Sequence, residues 1–267
     1  MSNLRVSQLS IYPVKSLGGI ALQRSAVERF GLHNDRRWMV VDDRGRYLTQ
    51  REKSRMCLIQ PQPLDNGLRL SAPGMEELEI AHAAQMPVRE VRVWDDRVDA
   101  LDCGDAAARW LSRFLDTDCR LVYFPDDGQR AVDPAYAQPG DVTAFSDGFP
   151  LLLITQASLD DLNSRIKEPV AMRRFRPNLV IDGSAAYAED RWKRLRIGDL
   201  TLRVVKPCSR CVIPTIDPAS GERNADAEPL RTLANYRMRD HKIFFGQNVI
   251  ADGEGELEVG QAVEILE

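Results

Sequence analysis

Leu200-Thr201-Leu202-Arg203-Val204-Val205-Lys206-Pro207-Cys208-Ser209-Arg210-Cys211-Val212-Ile213-Pro214-Thr215-Ile216 reads as a strand, a CxxC and a second β-branched run over Val212–Ile216. A CxxC of the thioredoxin kind opens a helix after a strand. Here Pro214 and β-branched residues follow, so that reading is set aside and a β neighbourhood is expected. Structural zinc needs about four ligands. No second CxxC exists, and His33, His82 and His241 are isolated from one another. Lys206 and Arg210 flank the thiols, and nearby cations stabilise the thiolate, the reactive and metal-binding form. On its own the segment reads equally well as two buried, inert thiols.

Outward from it, the first hundred residues are short β-type runs: Val6 to Tyr12, Trp38 to Val41, Cys57 to Pro61, Leu68 to Ser71 and Val88 to Trp94. Turn signals at Gly18-Gly19, Asp43-Arg44-Gly45, Asp65-Asn66-Gly67 and Pro73-Gly74 separate them, which favours a barrel or sandwich. Asp105 to Leu115 changes to helical period, with Ala107, Trp110, Leu111, Phe114 and Leu115 on one face and Asp105 as cap. Strand signals return at Leu121–Phe124, Thr143–Phe145, Leu151–Thr155, Leu179–Ile181, Leu195–Ile197 and Val259–Leu266. The Asp-, Pro- and Gly-rich Pro125–Asp141 reads as an excursion loop. Ser158 and Asp161 resemble a capping box for a helix with Leu159, Leu162 and Ile166 inward. A further helix is expected around Pro229–Tyr236. The fold class is mainly β with a few short helices, in two parts divided near residue 120.

The chain has 267 residues, 43% hydrophobic content and a formal net charge of −4. It can bury a sizeable core, and a global basic footprint for nucleic acid is absent. No apolar run reaches a membrane span, and the start at Met1–Asn3 shows no signal-peptide h-region. Five cysteines, an odd number, argue against a secreted disulfide framework and for a reducing, cytoplasmic setting.

Four other segments carry possible chemistry. Tyr12-Pro13-Val14-Lys15-Ser16-Leu17-Gly18-Gly19 puts a cation, a hydroxyl and exposed amides after a strand, which suits an anion; a hairpin turn with a solvated lysine is the plainer reading. Asp35-Arg36-Arg37-Trp38 drives one arginine inward, where it needs an anionic partner, internal or bound. Arg173-Arg174-Phe175-Arg176-Pro177-Asn178 is a solvated basic turn or an anion clamp. Ser146-Asp147-Gly148-Phe149-Pro150 is a polar turn before an apolar strand.

Taken in order, these segments resemble the MOSC family over nearly the whole chain. Tyr12-Pro13-Val14-Lys15-Ser16, Asp35-Arg36-Arg37-Trp38 and Asp102-Cys103-Gly104-Asp105 resemble the MOSC N-terminal β-barrel domain, expected over 1–120. Phe145-Ser146-Asp147, Ala157 to Asn163, Phe175 to Asn178, Cys208-Ser209-Arg210-Cys211, Asp217-Pro218 and Phe245-Gly246-Gln247 resemble the MOSC β-barrel domain, expected over 121–267. The pattern is similar to that of the mitochondrial amidoxime-reducing components and their bacterial counterparts that reduce N-hydroxylated bases. The resemblance implies a molybdenum–molybdopterin cofactor with Cys211 as the catalytic protein ligand to the metal. It implies that Lys15, Ser16, Arg36 and Arg176 hold the pterin and its phosphate, helped by Ser146, Asp147, Ser209 and Arg210. A thiolate suits a metal already bound by dithiolene sulfurs, and an anionic tail needs several cations.

The implied reaction reduces N–OH to N–H with two electrons and two protons, releasing water; no general acid–base pair is evident. Electrons are expected from a separate ferredoxin- or flavin-type donor, since no cluster or flavin motif is present and the sequence ends at Glu267. Pyridoxal phosphate binding attaches to the wider family. Asn248 stands where mitochondrial relatives tend to have an aromatic, which bears on substrate access. Cys57, Cys103 and Cys119 are read as structural, and Cys208 is left between packing and tuning of Cys211. A cofactor carrier without turnover and a cysteine-persulfide sulfur carrier are the alternatives from other classes.

Overall fold

The computed structural model describes residues 4–82 and 86–267. Met1–Asn3, where the amino-terminal reading falls, lie outside them. Among the described residues the chain forms nineteen strands and three α-helices, and it is mainly β.

The largest sheet has nine strands. It runs from Val263–Ile265 through Arg194–Ile197, Leu200–Ser209, Lys242–Asp252, Leu151–Thr155 and Leu179–Asp182 to Arg5–Ile11 and Ile20–Leu22, with Met238–Arg239 paired to Lys242–Asp252 off this path. Arg5–Ile11 therefore pairs with the second half of the chain, antiparallel to Leu179–Asp182. Its start also meets the end of the chain, with Val6 N donating to Gln261 O and Val263 N to Leu4 O, both at 2.9 Å. These bonds bend the sheet back on itself around Val6, Leu9, Leu153, Ile181, Leu202 and Val249. The alternating burial of Val6, Leu9 and Ile11 explains why that run is a strand, although a bulge between Val6 and Gln8 shifts the alternation.

Trp38–Val41, Arg120–Tyr123, Asp96–Asp102 and Val88–Val93 form a separate four-stranded antiparallel sheet. Helix α1 (Asp105–Leu115) packs Leu111, Phe114 and Leu115 against Leu48, Met56, Leu68 and Leu70. Helices α2 (Gln156–Arg165) and α3 (Leu230–Arg237) cover the large sheet through Leu159, Leu162 and Leu233, beside Phe175 and Phe245.

Several local expectations are corrected. Asp105 does not cap α1: Gly104, at φ 90°, occupies the cap, and the Asp105 carboxylate instead accepts from Arg120 at 2.8 Å. Thr155 caps α2 by accepting from Ser158 N at 3.3 Å, one turn earlier than the Ser158–Asp161 box. Cys57 and Leu58 lie in a 3₁₀ turn, Ser54–Leu58. Val259–Leu266 is not one strand; only Val263–Ile265 is extended in the sheet. Val212–Ile216 is not a strand either, because Ile213–Thr215 tighten into a 3₁₀ turn with Thr215 N and Oγ1 both donating to Val212 O. Thr143–Phe145 forms no strand. Thr143 N pairs with Arg130 O at 2.9 Å, while the Arg130 guanidinium takes the carbonyls of Ala144 (2.9 Å) and Ser146 (2.7 Å), leaving little for a ladder.

Candidate functional site

Six loops from both halves of the sequence meet in one cleft of about 130 Å³. Lys15, Ser16, Arg36, Ser146, Asp147, Arg176, Ser209, Arg210 and Cys211 all line it. Each leaves or enters a strand: Lys15 and Ser16 follow Arg5–Ile11, Arg36 precedes Trp38–Val41, Ser146 and Asp147 precede Leu151–Thr155, Arg176 precedes Leu179–Asp182, and Ser209 ends Leu200–Ser209. Trp38–Val41 and Leu151–Thr155 are buried at every position and Leu179–Asp182 at all but its last, which holds their ends rigidly, as a precise site requires.

Three of these side chains stand on backbone in the left-handed region: Ser16 (φ 67°), Arg36 (φ 50°) and Arg176 (φ 57°). For residues with a Cβ this costs about 1–2 kcal/mol each, so surrounding bonds must impose it. They are present. Gln50 Nε2 donates to Ser16 O at 2.7 Å, Arg36 N donates to Tyr12 O at 3.0 Å and Arg176 N to Arg173 O at 3.2 Å.

Tyr12 is the floor. The guanidinium carbons of Arg36 and Arg176 lie 4.4 and 4.1 Å from its ring centre, within cation–π range. Arg36 is tied by Asp35 Oδ2 at 2.5 Å, Asn178 Oδ1 at 2.9 Å and Arg176 O at 3.1 Å. Asp35 is buried; its other oxygen accepts from Tyr12 N at 2.7 Å, and burial pushes its carboxyl up against the pull of Arg36. Arg176 reaches Leu17 O at 2.6 Å. Burial, then the like charge of Arg36, pushes it down to about 10, so the pair is short of negative charge.

Lys15 is 5% exposed; its ammonium donates to Phe145 O at 2.9 Å and pairs with Asp147. Burial lowers the Lys15 pKa against the pull of Asp147. Desolvation works to raise Asp147, but the Lys15 charge and hydrogen bond, with Arg51, hold it below the usual carboxylate range.

Cys211 is half-buried, and Cys208 lines the same cleft. The Cys208 sulfur accepts from Arg210 Nη1 at 3.1 Å, and Arg210 Nη2 donates to Phe175 O at 2.6 Å. Cys208 thus helps orient an arginine of the site. Burial pushes the Cys57, Cys103 and Cys119 thiols up, Cys103 to about 12, as inert structural thiols require.

Two buried donors of the cleft, Arg176 Nη2 and Arg210 Nε, have no hydrogen-bond partner. Leaving such a group unpaired is costly, and an anion with several acceptor oxygens would satisfy both. Around them stand Lys15, Arg36 and Arg51. Among the described residues no group of three or more His, Cys, Asp or Glu could hold a metal ion. A metal at Cys211 would have to bring most of its ligands with it, as a pterin dithiolene does. The donor set fits molybdopterin.

Sequence reasoning missed Thr49, Arg51 and Arg130. Thr49 and Arg51 line the cleft from a turn without any motif. Arg130 lies in the excursion loop, buried, paired with Asp96 at 2.8 Å, and shapes the loop carrying Ser146 and Asp147. No local signal marks either position.

A β architecture with a thiol and an unsatisfied cationic cradle in a cleft between its two halves defines a MOSC-type protein. Residues 3–118 match the MOSC N-terminal beta barrel domain and residues 140–264 the MOSC domain. The chain is 37% identical to mitochondrial amidoxime-reducing component 1 of Mus musculus and of Homo sapiens, over 98% of this chain and 82% of each relative. It is 36% identical to mitochondrial amidoxime reducing component 2 of Rattus norvegicus, over 97% of this chain and 82% of that one. The chain belongs to the amidoxime-reducing component family of MOSC proteins.

Proposed function

We propose that this protein is an oxidoreductase that reduces N-hydroxylated compounds, N–OH to N–H, with a molybdenum–molybdopterin cofactor. The observation that carries the reading is the pair of unpartnered guanidinium donors, Arg176 Nη2 and Arg210 Nε, in the cleft that holds Cys211. Arg36, Arg176 and Arg210 would take the phosphate, with Lys15, Ser16, Ser146, Asp147 and Ser209 around the pterin, and Cys211 would ligate the metal. When bound, the cofactor supplies the two-electron centre at which the hydroxyl oxygen leaves nitrogen.

The chain's own residues bind and orient. Tyr12 stacks two arginines in fixed positions, Asn178 holds Arg36 through Oδ1, and Asp147 compensates Lys15. Electrons are proposed to come from a separate carrier of ferredoxin or flavin type. No helix among the described residues is long and apolar enough to cross a membrane. The cytoplasmic setting stays a proposal, since the relatives are named mitochondrial. Pyridoxal phosphate is not part of this reading, because the cleft's lysine, Lys15, is committed to Phe145 O and Asp147. The division near residue 120 is proposed as the boundary between the two parts.

The test is molybdenum and pterin per chain, after expression in a host that makes molybdopterin, with benzamidoxime reduction by a chemically reduced viologen. Near-stoichiometric metal and turnover, both lost in Cys211→Ser, are expected. Metal without turnover would move the protein to the carrier reading. A sulfane adduct on cysteine with neither metal nor pterin would move it to sulfur transfer.

A further inference from the structure

Trp94 sits at the tip of the hairpin between Val88–Val93 and Asp96–Asp102, with φ at 56°. A bulky aromatic is a poor occupant of that conformation, which Gly and Asn adopt far more readily. It is also 44% exposed. Its indole Nε1 donates to Asp147 Oδ1 at 3.4 Å, Arg51 stacks on it at 4.6 Å and Tyr47 packs at 5.6 Å. The hairpin of the four-stranded sheet therefore delivers an exposed indole to a residue of the cleft.

Beyond it lies a second cavity of about 540 Å³, which shares Asp147, Gly148, Phe149, Cys208, Ser209 and Asn248 with the first. The two compartments carry opposite charge. The cofactor cleft has Lys15, Arg36, Arg51, Arg176 and Arg210 against Asp147. The outer one has Asp95, Asp96, Asp133 and Asp147 against Arg130 and Lys206. Arg130 is buried and pairs with Asp96 as well as with carbonyls, and Asp147 pairs with Lys15, so Asp95 is the acid of this lining with no ion pair among the described residues. Lys206 lies over the Tyr136 ring at 4.2 Å, with Asp133 at 3.9 Å. Phe149 stands edge-on to Tyr136 at 6.0 Å, and with Trp94 it gives the compartment aromatic walls. Flat rings, the unpaired carboxylate of Asp95 and a lining with four acids against two cations suit a planar cation.

We propose that this outer compartment is the substrate vestibule and that Trp94 is its specificity-determining wall, selecting flat N-hydroxylated compounds with positive charge over those with negative charge. The proposal rests on the reductase reading above. Asn248, between the compartments, leaves the passage open where an aromatic would narrow it.

Calorimetry on the cofactor-loaded protein at low salt tests it, with benzamidine and benzoate as probes. Benzamidine should bind at least roughly tenfold tighter than benzoate, and Trp94→Ala should erase about that factor while Trp94→Phe keeps most of it. Asp133→Asn should narrow the gap between the probes. Trp94 is at an exposed tip, so circular dichroism and melting should match wild type. In turnover, kcat/KM for a benzamidoxime with a para-aminomethyl group should exceed that for the para-carboxylate by a similar factor. Equal binding of both probes, or binding indifferent to Trp94→Ala, overturns the proposal. Loss of turnover for every substrate, with Trp94-dependent benzamidine binding intact, overturns the reductase reading and leaves the vestibule standing.

Discussion

Arg36 Nη2 donates to the backbone carbonyl of Arg176 at 3.1 Å, across 140 positions of sequence. That bond joins the turn before Trp38–Val41 to the turn before Leu179–Asp182. It sets two guanidinium groups on one tyrosine ring with Asp35 paired to Arg36, a crowding of like charge that a bound anion would relieve.

Arg176→Gln should weaken anion binding strongly. Losing one charge-assisted hydrogen bond costs about 1.5–3 kcal/mol, roughly ten- to a hundredfold in affinity. Pyrophosphate titrated calorimetrically into cofactor-free protein, and pterin retained through gel filtration, should both show it. Arg176→Lys should recover only part, since an ammonium cannot reproduce the fork. Wild-type affinity in the glutamine variant would remove Arg176 from the cradle.

The two cysteines should separate. Cys211→Ser is expected to lose molybdenum or change its coordination, read by elemental analysis and X-ray absorption at the metal edge. Cys208→Ala should keep the metal and, through the lost acceptor for Arg210, weaken pterin retention by a factor of a few. Equal molybdenum and identical spectra in wild type and Cys211→Ser would refute the ligand assignment.

Asp147 predicts an acid signature. Its folded pKa lies below the value of 3.8 expected in the unfolded chain. The unfolded state therefore binds more protons in that range. The stability contributed by the Lys15–Asp147 pair is fully present above the ordinary carboxylate range and is lost as pH falls below it. Asp147→Asn should flatten that part of the curve of unfolding free energy against pH. Parallel curves for wild type and variant from about pH 6 to 2 would show that the pair contributes nothing there.

A fragment of residues 121–267 should not fold alone. It lacks Arg5–Ile11 and Ile20–Leu22, so the sheet would expose the edge of Leu179–Asp182 and lose Val6, Leu9 and Ile11 from its core. We expect no cooperative melting and poor amide dispersion, restored when residues 1–30 are supplied in trans. A cooperative, well-dispersed fragment by itself would show the amino-terminal strands to be dispensable.

Local pattern alone determined much of this protein. The limits of Trp38–Val41 were legible as a short apolar run, buried throughout, and those of α1 from side chains buried at helical period. The nine residues that meet in the cleft were legible as an ordered set of motifs, each ambiguous by itself. Tertiary structure decided the rest. Thr143–Phe145 has strand composition, yet Arg130 takes its neighbourhood's carbonyls. Val212–Ile216 is β-branched, yet it turns immediately after Cys211. The pairing of Arg5–Ile11 with the second half, the stacking of Arg36 and Arg176 on Tyr12, and the arrival of Trp94 at Asp147 join groups from 24 positions apart (Tyr12 and Arg36) to 177 apart (Arg5 and Asp182). No local period records such a meeting. Each exists because a buried strand end, a carbonyl or a ring could be satisfied only by a partner that the folded sheets bring there.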